Sequence, residues 1–289
     1  MPKAFRMLAL CLALAAPAEA LALPPVWVVH DQDSTIVLFG SVHLLPDGVT
    51  WRPAALDAAL GKADDIWFEA PMDSKGRAEA TAAAQAHALL PQGQTLSALL
   101  SRKGRENLQK VSAQVQIPVS TFERLQPWYA ELLISTALYA RLGAQGQDGV
   151  EQTLWSTVSP AAERRTLETP AQQVAFFADA PVKDQIASLE ETLREAPDAK
   201  KDYDGLLKAW LTGDIRRLDK EVVEPLKTSA PGLYSRVVAE RNARWTDEIA
   251  RRMQGHGYTV IVVGMGHLIG PDGVPARLRA RGFKVDGPR

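Results

Sequence analysis

The chain has 289 residues, of which 23% are charged, and its formal net charge at pH 7 is −1. This near balance argues against general nucleic-acid binding, which relies on a basic surface to neutralise phosphates. The single cysteine, Cys11, lies in an N-terminal apolar segment, so we expect no disulfide, thiol nucleophile or thiolate metal ligand in the rest of the chain. Any metal would therefore be held by His, Asp, Glu or backbone oxygen.

Residues 1–20 have the pattern of a secretory signal peptide. Lys3 and Arg6 precede a short apolar run at residues 7–16, and residues 18–20 (Ala-Glu-Ala) have small side chains at the cleavage spacing. The run is shorter than the roughly 20 residues that a membrane span requires, and no later run is apolar enough to span a bilayer. We therefore predict an exported protein, periplasmic or secreted, with no membrane span after cleavage.

The next segments predict a hairpin, a helix and a third strand. Residues 26–29 and 36–39 are β-rich runs on either side of a polar turn at residues 31–34, which favours a β-hairpin. Residues 53–63 carry alanines at helical spacing after a proline, which predicts a helix. The short apolar run at residues 66–68 predicts a buried strand.

The middle of the chain, about residues 75–256, is predicted to be mostly helical. Helices are predicted at residues 77–90, 127–142, 181–196, 199–212 and 233–254, and a further helix is predicted to begin at residues 169–170. A brief strand is predicted at residues 165–167.

The C-terminal region returns to alternating strands and helices. Residues 259–263 form a continuous apolar run, which is typical of a strand buried on both faces. A helix at residues 271–281 and a strand at residues 283–285 complete a β-α-β ending. We therefore predict that residues 21–289 form a single α/β domain. Its mixed central sheet would be formed by both chain ends, with a large helical insertion between them.

Three of the apolar strands lead into a residue of catalytic type. His43 and His267 each follow a strand through a Gly-x-x-His sequence, and Glu69 follows the strand at residues 66–68. In open α/β sheets, ligands bind outside the carboxyl ends of the strands. We therefore expect these three side chains to face one pocket, with the helical insertion as its wall.

Two kinds of chemistry fit these residues. Imidazole and carboxylate groups are good ligands for zinc, manganese or iron, and such a set leaves positions open for water. Without a metal, a His–Glu pair can activate water as a general base. Residues 264–266 (Gly-Met-Gly) also resemble the start of the Gly-x-Gly-x-x-Gly sequence that binds dinucleotides. Ile269 stands where the third glycine belongs, which argues against dinucleotide binding.

Short motifs along the chain together resemble the TraB/PrgY/GumN family, in its exported GumN-like branch. In chain order they are LFGSVH at residues 38–43, Glu69, QPW at 126–128, GVEQ at 149–152, LETP at 167–170, ERNARW at 240–245 and VGMGHL at 263–268. The family is related to the Tiki proteins, which are proteases active with manganese or cobalt. Its core fold is similar to that of erythromycin esterases and haem-binding ChaN-like proteins.

The resemblance implies roles for particular residues. The implied metal-binding set is His43, His267, Glu69 and Glu151, and the implied catalytic set is Glu69, Arg241 and Asn242. Glu151 would be a further ligand or would orient a histidine, and Arg241 and Asn242 would stabilise a developing oxyanion. Glu168 is instead interpreted as part of the start of a helix, where an acid is favourable.

The resulting hypothesis is a metal-dependent, metallopeptidase-like hydrolase that uses manganese, cobalt or zinc on a peptide or other small substrate. Two alternatives remain open at this stage. The first is a non-catalytic exported protein that binds haem or metal, and the second is a metal-independent, esterase-like hydrolase.

Overall fold

The computed structural model describes residues 23–288, so the predicted signal peptide at residues 1–20 lies outside the described chain. The predicted α/β fold is confirmed, with a mixed sheet to which both ends of the described chain contribute. The strands are β1 (Val26–His30), β2 (Ser34–Ser41), β3 (Leu45–Pro46), β4 (Asp65–Phe68), β5 (Ala144–Gln145), β6 (Glu163–Thr166), β7 (Gly257–Gly264) and β8 (Val285–Asp286).

Six of these strands form the central sheet, in the order β6-β4-β7-β2-β1-β8. Strand β7 lies between β2 and β4 and is parallel to both, and β6 adds a further parallel strand beside β4. The predicted hairpin is confirmed, since β1 pairs antiparallel with β2. The three apolar runs are thus parallel neighbours, and their carboxyl ends lie at one edge of the sheet.

The described helices are α1 (Ala54–Leu60), α2 (Ser74–His87), α3 (Leu96–Leu99), α4 (Arg102–Val115), α5 (Val119–Phe122), α6 (Pro127–Arg141), α7 (Val150–Thr157), α8 (Pro170–Ala178), α9 (Val182–Glu195), α10 (Ala199–Thr212), α11 (Ile215–Leu218), α12 (Glu224–Ser229), α13 (Pro231–Tyr234), α14 (Glu240–Arg252) and α15 (Val274–Ala280). The mostly helical middle is confirmed, although α3, α4, α5, α7, α11 and α12 were not predicted. Within residues 23–288, no helix combines the length and apolar character needed to cross a bilayer.

Helix α4 was not predicted, and most of its residues are polar. It begins with polar residues after the capping Ser101, and its buried apolar side chains are Leu108, Val111 and Val115. These side chains recur at helical spacing and join a second apolar cluster with α6 and α9, separate from the main core around the sheet.

The long helix predicted at residues 233–254 is interrupted in the structure. A π-helical turn at Ser235–Ala239 separates α13 from α14. One face of α14 is buried against the sheet. It carries residues spaced four apart along the chain, namely Arg241, Trp245 and Ile249. The π-helical turn ends two residues before Arg241, and such turns frequently occur at functional sites.

Candidate functional site

The carboxyl ends of β2, β4 and β7 carry the three residues that the sequence singled out. His43 follows β2, Glu69 directly follows β4, and His267 ends a 3-10 turn after β7. The sheet brings Glu69 and His267 close together, with 3.8 Å between Glu69 Oε1 and His267 Nε2.

The loop that carries His43 is packed against the start of α7. The Val150 N–H donates to the Val42 carbonyl over 3.1 Å. A Cβ added at Gly149 would lie only 2.1 Å from the carbonyl oxygen of His43, so glycine is required for this approach. The contact places the first turn of α7, with Glu151, beside His43.

Glu151 accepts two hydrogen bonds through the same oxygen. Its Oε1 lies 2.8 Å from His43 Nδ1 and 2.5 Å from Ser41 Oγ, which donates to it. The charge of Glu151 raises the pKa of His43 from 6.5 to about 9. The His43 side chain is 65% exposed. Because none of residues 23–288 hydrogen-bonds to its Nε2, that atom is available to a bound molecule or ion.

Glu69 is buried and held at both oxygens. Its Oε1 accepts the Gly264 N–H at 2.6 Å, and its Oε2 accepts from Arg241 at 2.6 Å and from Gln173 at 3.2 Å. Burial by itself would raise the pKa of Glu69, but the neighbouring charges, with Arg241 first, lower it to about 2. Glu69 is therefore ionised at neutral pH.

Arg241 has an acceptor for each of its five N–H groups. Its Nε donates to Glu168 Oε1 at 2.8 Å, and its Nη2 donates to Glu168 Oε2 at 2.7 Å and to Glu69 Oε2 at 2.6 Å. Its Nη1 lies 3.1 Å from the Val237 carbonyl and 3.0 Å from His267 Nε2. Since arginine offers five N–H donors, none remains for an oxyanion in this conformation.

The guanidinium is also enclosed by aromatic rings. Arg241 Cζ lies 4.7 Å from the Trp245 ring centroid and 5.1 Å from that of Phe176. Such contacts are favourable for a cation. The side chain is only 7% exposed, so Arg241 is a fixed positive charge in the cavity wall.

Glu168 directly precedes the N-cap of α8, as predicted, but its carboxylate serves the site rather than the helix. Thr169 caps α8 through a capping box with Gln172, whereas the Glu168 carboxylate points into the site, where it also accepts from Trp245 Nε1 at 3.1 Å. The Glu168 N–H donates to the Glu69 carbonyl, which aligns the chain after β6 with the chain after β4. Glu168 thus follows β6 as Glu69 follows β4, and this shared position is the signal that could have identified it.

His267 and Asn242 lie behind Arg241. Asn242 Oδ1 is 2.7 Å from His267 Nδ1, and Asn242 Nδ2 donates to the Asp272 carbonyl at 2.9 Å. Burial lowers the pKa of His267 to about 3, so its ring is neutral. Asn242 is fully buried, and its amide is already engaged on both sides.

A cavity of about 460 Å³ opens in front of this cluster. Its polar lining comprises His43, Glu69, Glu151, Gln173 and Arg241. The remaining lining is mainly apolar and includes Met72, Phe176 and Phe177. The structure thus brings four of the predicted site residues to one cavity and places two, His267 and Asn242, outside its lining.

Three of these residues fit a divalent cation. One nitrogen of His43 and one oxygen each of Glu69 and Glu151 lie within 4.8 Å of one another. Imidazole nitrogen and carboxylate oxygen are suitable donors for zinc or manganese. His267, which the resemblance placed in the metal-binding set, is outside this group, and its Nε2 already contacts Arg241.

Comparison with known proteins gives one family. The model of the TraB/PrgY/gumN family matches residues 25–287. YbaP of Escherichia coli (strain K12) is 25% identical over 246 residues, which are 84% of this chain and 87% of YbaP. A protein of Treponema pallidum (strain Nichols) is 25% identical over 269 residues, 88% of this chain and 80% of that protein. Neither relative's name states an activity, and no solved structure matches significantly.

Proposed function

The chain belongs to the TraB/PrgY/gumN family, and from this premise we propose that it is a metal-dependent hydrolase that cleaves peptide bonds. The observation that carries the proposal is the cluster of His43, Glu69 and Glu151 on the wall of an open cavity, with donor atoms within 4.8 Å of one another. The relationship to the Tiki metalloproteases supports the reaction class.

These three residues would hold manganese, cobalt or zinc. A divalent ion at this position supplies Lewis-acid polarisation of a scissile carbonyl and acidifies water. Glu151 orients the His43 ring through Nδ1, which directs Nε2 toward the cavity. Because its pKa is about 2, Glu69 is a weak base, and we assign it to cation binding rather than to proton abstraction.

The apolar side of the cavity supports a substrate with an apolar group near the cleaved bond. Met72, Phe176 and Phe177 line this side, and Phe177 is 40% exposed. Binding an apolar side chain there would remove apolar surface from water. The polar side would meanwhile face the carbonyl that is to be cleaved.

The test is peptide-library turnover after chelation and readdition of manganese, cobalt or zinc. We expect metal-dependent cleavage that falls by more than about 100-fold in His43→Gln, because a metal ligand is lost. The matched control is His87→Gln on the exposed surface of α2, which should behave like the parent. Absence of metal-dependent cleavage in the parent would contradict the proposal, and a haem titration of the same sample tests the haem-binding alternative by its absorbance shift.

The His43–Glu151 pair also favours a second candidate, a metal-independent hydrolase. A carboxylate on Nδ1 leaves Nε2 without a partner among residues 23–288, and Nε2 becomes a general base for water as the pH rises through the His43 pKa of about 9. Ester turnover that persists after chelation and is lost in both His43→Gln and Glu151→Gln would select this candidate over the first.

We further propose that the protein acts outside the cytoplasm, on the basis of the signal pattern in residues 1–20. Fractionation of an expressing bacterial cell, followed by mass spectrometry of the N-terminus, tests this. We expect an exported chain that begins at Leu21. An uncleaved chain in the cytoplasmic fraction would contradict it.

A further inference from the structure

We propose that His267 is a positioning residue that holds Arg241, and that it is not a ligand of a metal bound by His43, Glu69 and Glu151. The part that concerns metal rests on the proposed function above. His267 belongs to the second Gly-x-x-His sequence, and the resemblance alone would assign it the same role as His43.

The direction of one hydrogen bond carries the argument. Arg241 Nη1 lies 3.0 Å from His267 Nε2, and arginine can only donate. His267 Nε2 must therefore be the acceptor, so its lone pair is already used. The ring proton is then on Nδ1, from which it is donated to Asn242 Oδ1 at 2.7 Å.

The orientation of the Asn242 amide supports the same assignment independently. Asn242 Nδ2 donates to the Asp272 carbonyl at 2.9 Å, which leaves the amide oxygen facing the His267 ring. An amide oxygen can only accept, so the nitrogen opposite it must carry the proton. Both neighbours of the ring thus require the same tautomer.

Packing prevents an easy change of this arrangement. The His267 and Trp245 ring centroids are 4.5 Å apart, and His267 is only 7% exposed. A metal on Nε2 would displace an Arg241 N–H from its acceptor inside the protein, which is unfavourable. A metal ion on His267 Nε2 would also lie next to the positively charged guanidinium of Arg241, which would repel it.

The consequence for the cavity is transmitted through Arg241. His267 supplies one of the five acceptors that hold the guanidinium, and the same guanidinium donates to Glu69 on the cavity wall. His267 therefore helps to fix the orientation of Glu69 without lining the cavity.

The first experiment is nitrogen NMR of the histidine rings in the metal-free protein near pH 7, with His267 assigned by comparison with His267→Gln. We expect the Nδ1–H tautomer at His267. An Nε2–H or doubly protonated ring would overturn the proposal. This readout does not depend on metal, so it remains decisive if zinc fails to bind, a result that would instead count against the proposed function.

The second experiment compares zinc binding by His43→Gln and His267→Gln, with folding checked by circular dichroism. Glutamine at position 267 can place a carbonyl oxygen where Nε2 now accepts from Arg241, but it is a poor metal ligand. We expect zinc affinity to fall by less than about tenfold in His267→Gln and by more than about 100-fold in His43→Gln. Equal losses in the two variants would show that His267 is a ligand and would overturn the proposal.

Discussion

The two Gly-x-x-His loops have the same sequence pattern at the same sheet edge, yet their histidines are in opposite chemical states. His43 is 65% exposed beside Glu151, which raises its pKa to about 9. The His267 side chain is 9% exposed, and burial lowers its pKa to about 3. The Gly-x-x-His pattern therefore places each histidine just after a strand, at the same edge of the sheet. The surroundings that the helical insertion brings to each ring determine whether that ring is charged.

The difference divides the site into two halves. The open half comprises the exposed His43 and its two buried partners, Ser41 and Glu151, and it reaches the cavity through the His43 ring. The closed half comprises Glu69, Glu168, Arg241 and His267 and is almost fully buried. We infer that ligands bind to the open half together with Glu69 and that the rest of the closed half fixes Glu69 in place, and four predictions test this division.

Arg241→Ala should produce the largest loss of stability. It would leave Glu69 and Glu168 buried without their shared cation, and breaking such a pair typically costs about 3–5 kcal/mol. Urea unfolding at pH 7 measures the loss. The matched control is Arg244→Ala, whose side chain is 48% exposed and 3.6 Å from Glu168, and which should cost less than about 1 kcal/mol. Small losses of the same size in Arg241→Ala and Arg244→Ala would contradict the buried ion pairs of the closed half.

Glu69→Gln should give a pH-dependent loss of stability. The pKa of Glu69 is lowered from 4.5 to about 2, so its ionised form stabilises the fold fully above pH 4.5 and progressively less as the pH falls toward 2. The free energy of unfolding of the variant should be lower by about 3 kcal/mol at pH 7.

The difference between Glu69→Gln and the parent should shrink across this acidic window. Urea unfolding between pH 7 and pH 3 measures it, with the exposed Glu79→Gln as a control that should change stability by less than about 0.5 kcal/mol. A difference that stays constant with pH would contradict the assigned ionisation of Glu69.

Gly149→Ala should destabilise the fold by about 1–3 kcal/mol, as expected for overpacking. Its new Cβ would lie 2.1 Å from the His43 carbonyl oxygen and would push α7 away from the loop of the open half. The control is Gly146→Ala, where the nearest atom is Leu44 Cδ2 at 3.7 Å and little change is expected. Thermal unfolding of both variants distinguishes the two positions, and equal midpoints would refute the close approach.

Glu151→Gln should have the smallest effect on stability and a local effect on titration. Without the carboxylate charge, the pKa of His43 should fall from about 9 to about 6.5 or lower. Proton NMR of the His43 ring measures it. Ser41→Ala keeps the charge and should leave the pKa of His43 well above 6.5, so a similar fall in both variants would disprove the dominant role of Glu151.

The local patterns of the chain predicted most of the fold. Apolar runs identified β2, β4 and β7, because a strand buried on both faces requires continuous apolar residues. The β-rich run of β1, which is buried on alternate residues, was identified by the hairpin turn that follows it. Helices with strong apolar periodicity, such as α9 and α10, were also found. The mostly polar α4 was missed, and the predicted domain limits at residues 21–289 remain a prediction.

The sequence alone determined that His43, Glu69 and His267 each follow an apolar strand. The carboxyl ends of these strands meet because the strands are parallel neighbours, which the tertiary structure decided. Only the tertiary structure decided which groups meet them there. Glu168 is 99 residues from Glu69 along the chain and 73 from Arg241, yet its carboxylate holds the guanidinium that donates to Glu69. Hydrogen-bond direction and burial depend on these distant contacts. They distinguish His267, whose Nε2 accepts from Arg241, from the exposed His43, which lines the cavity.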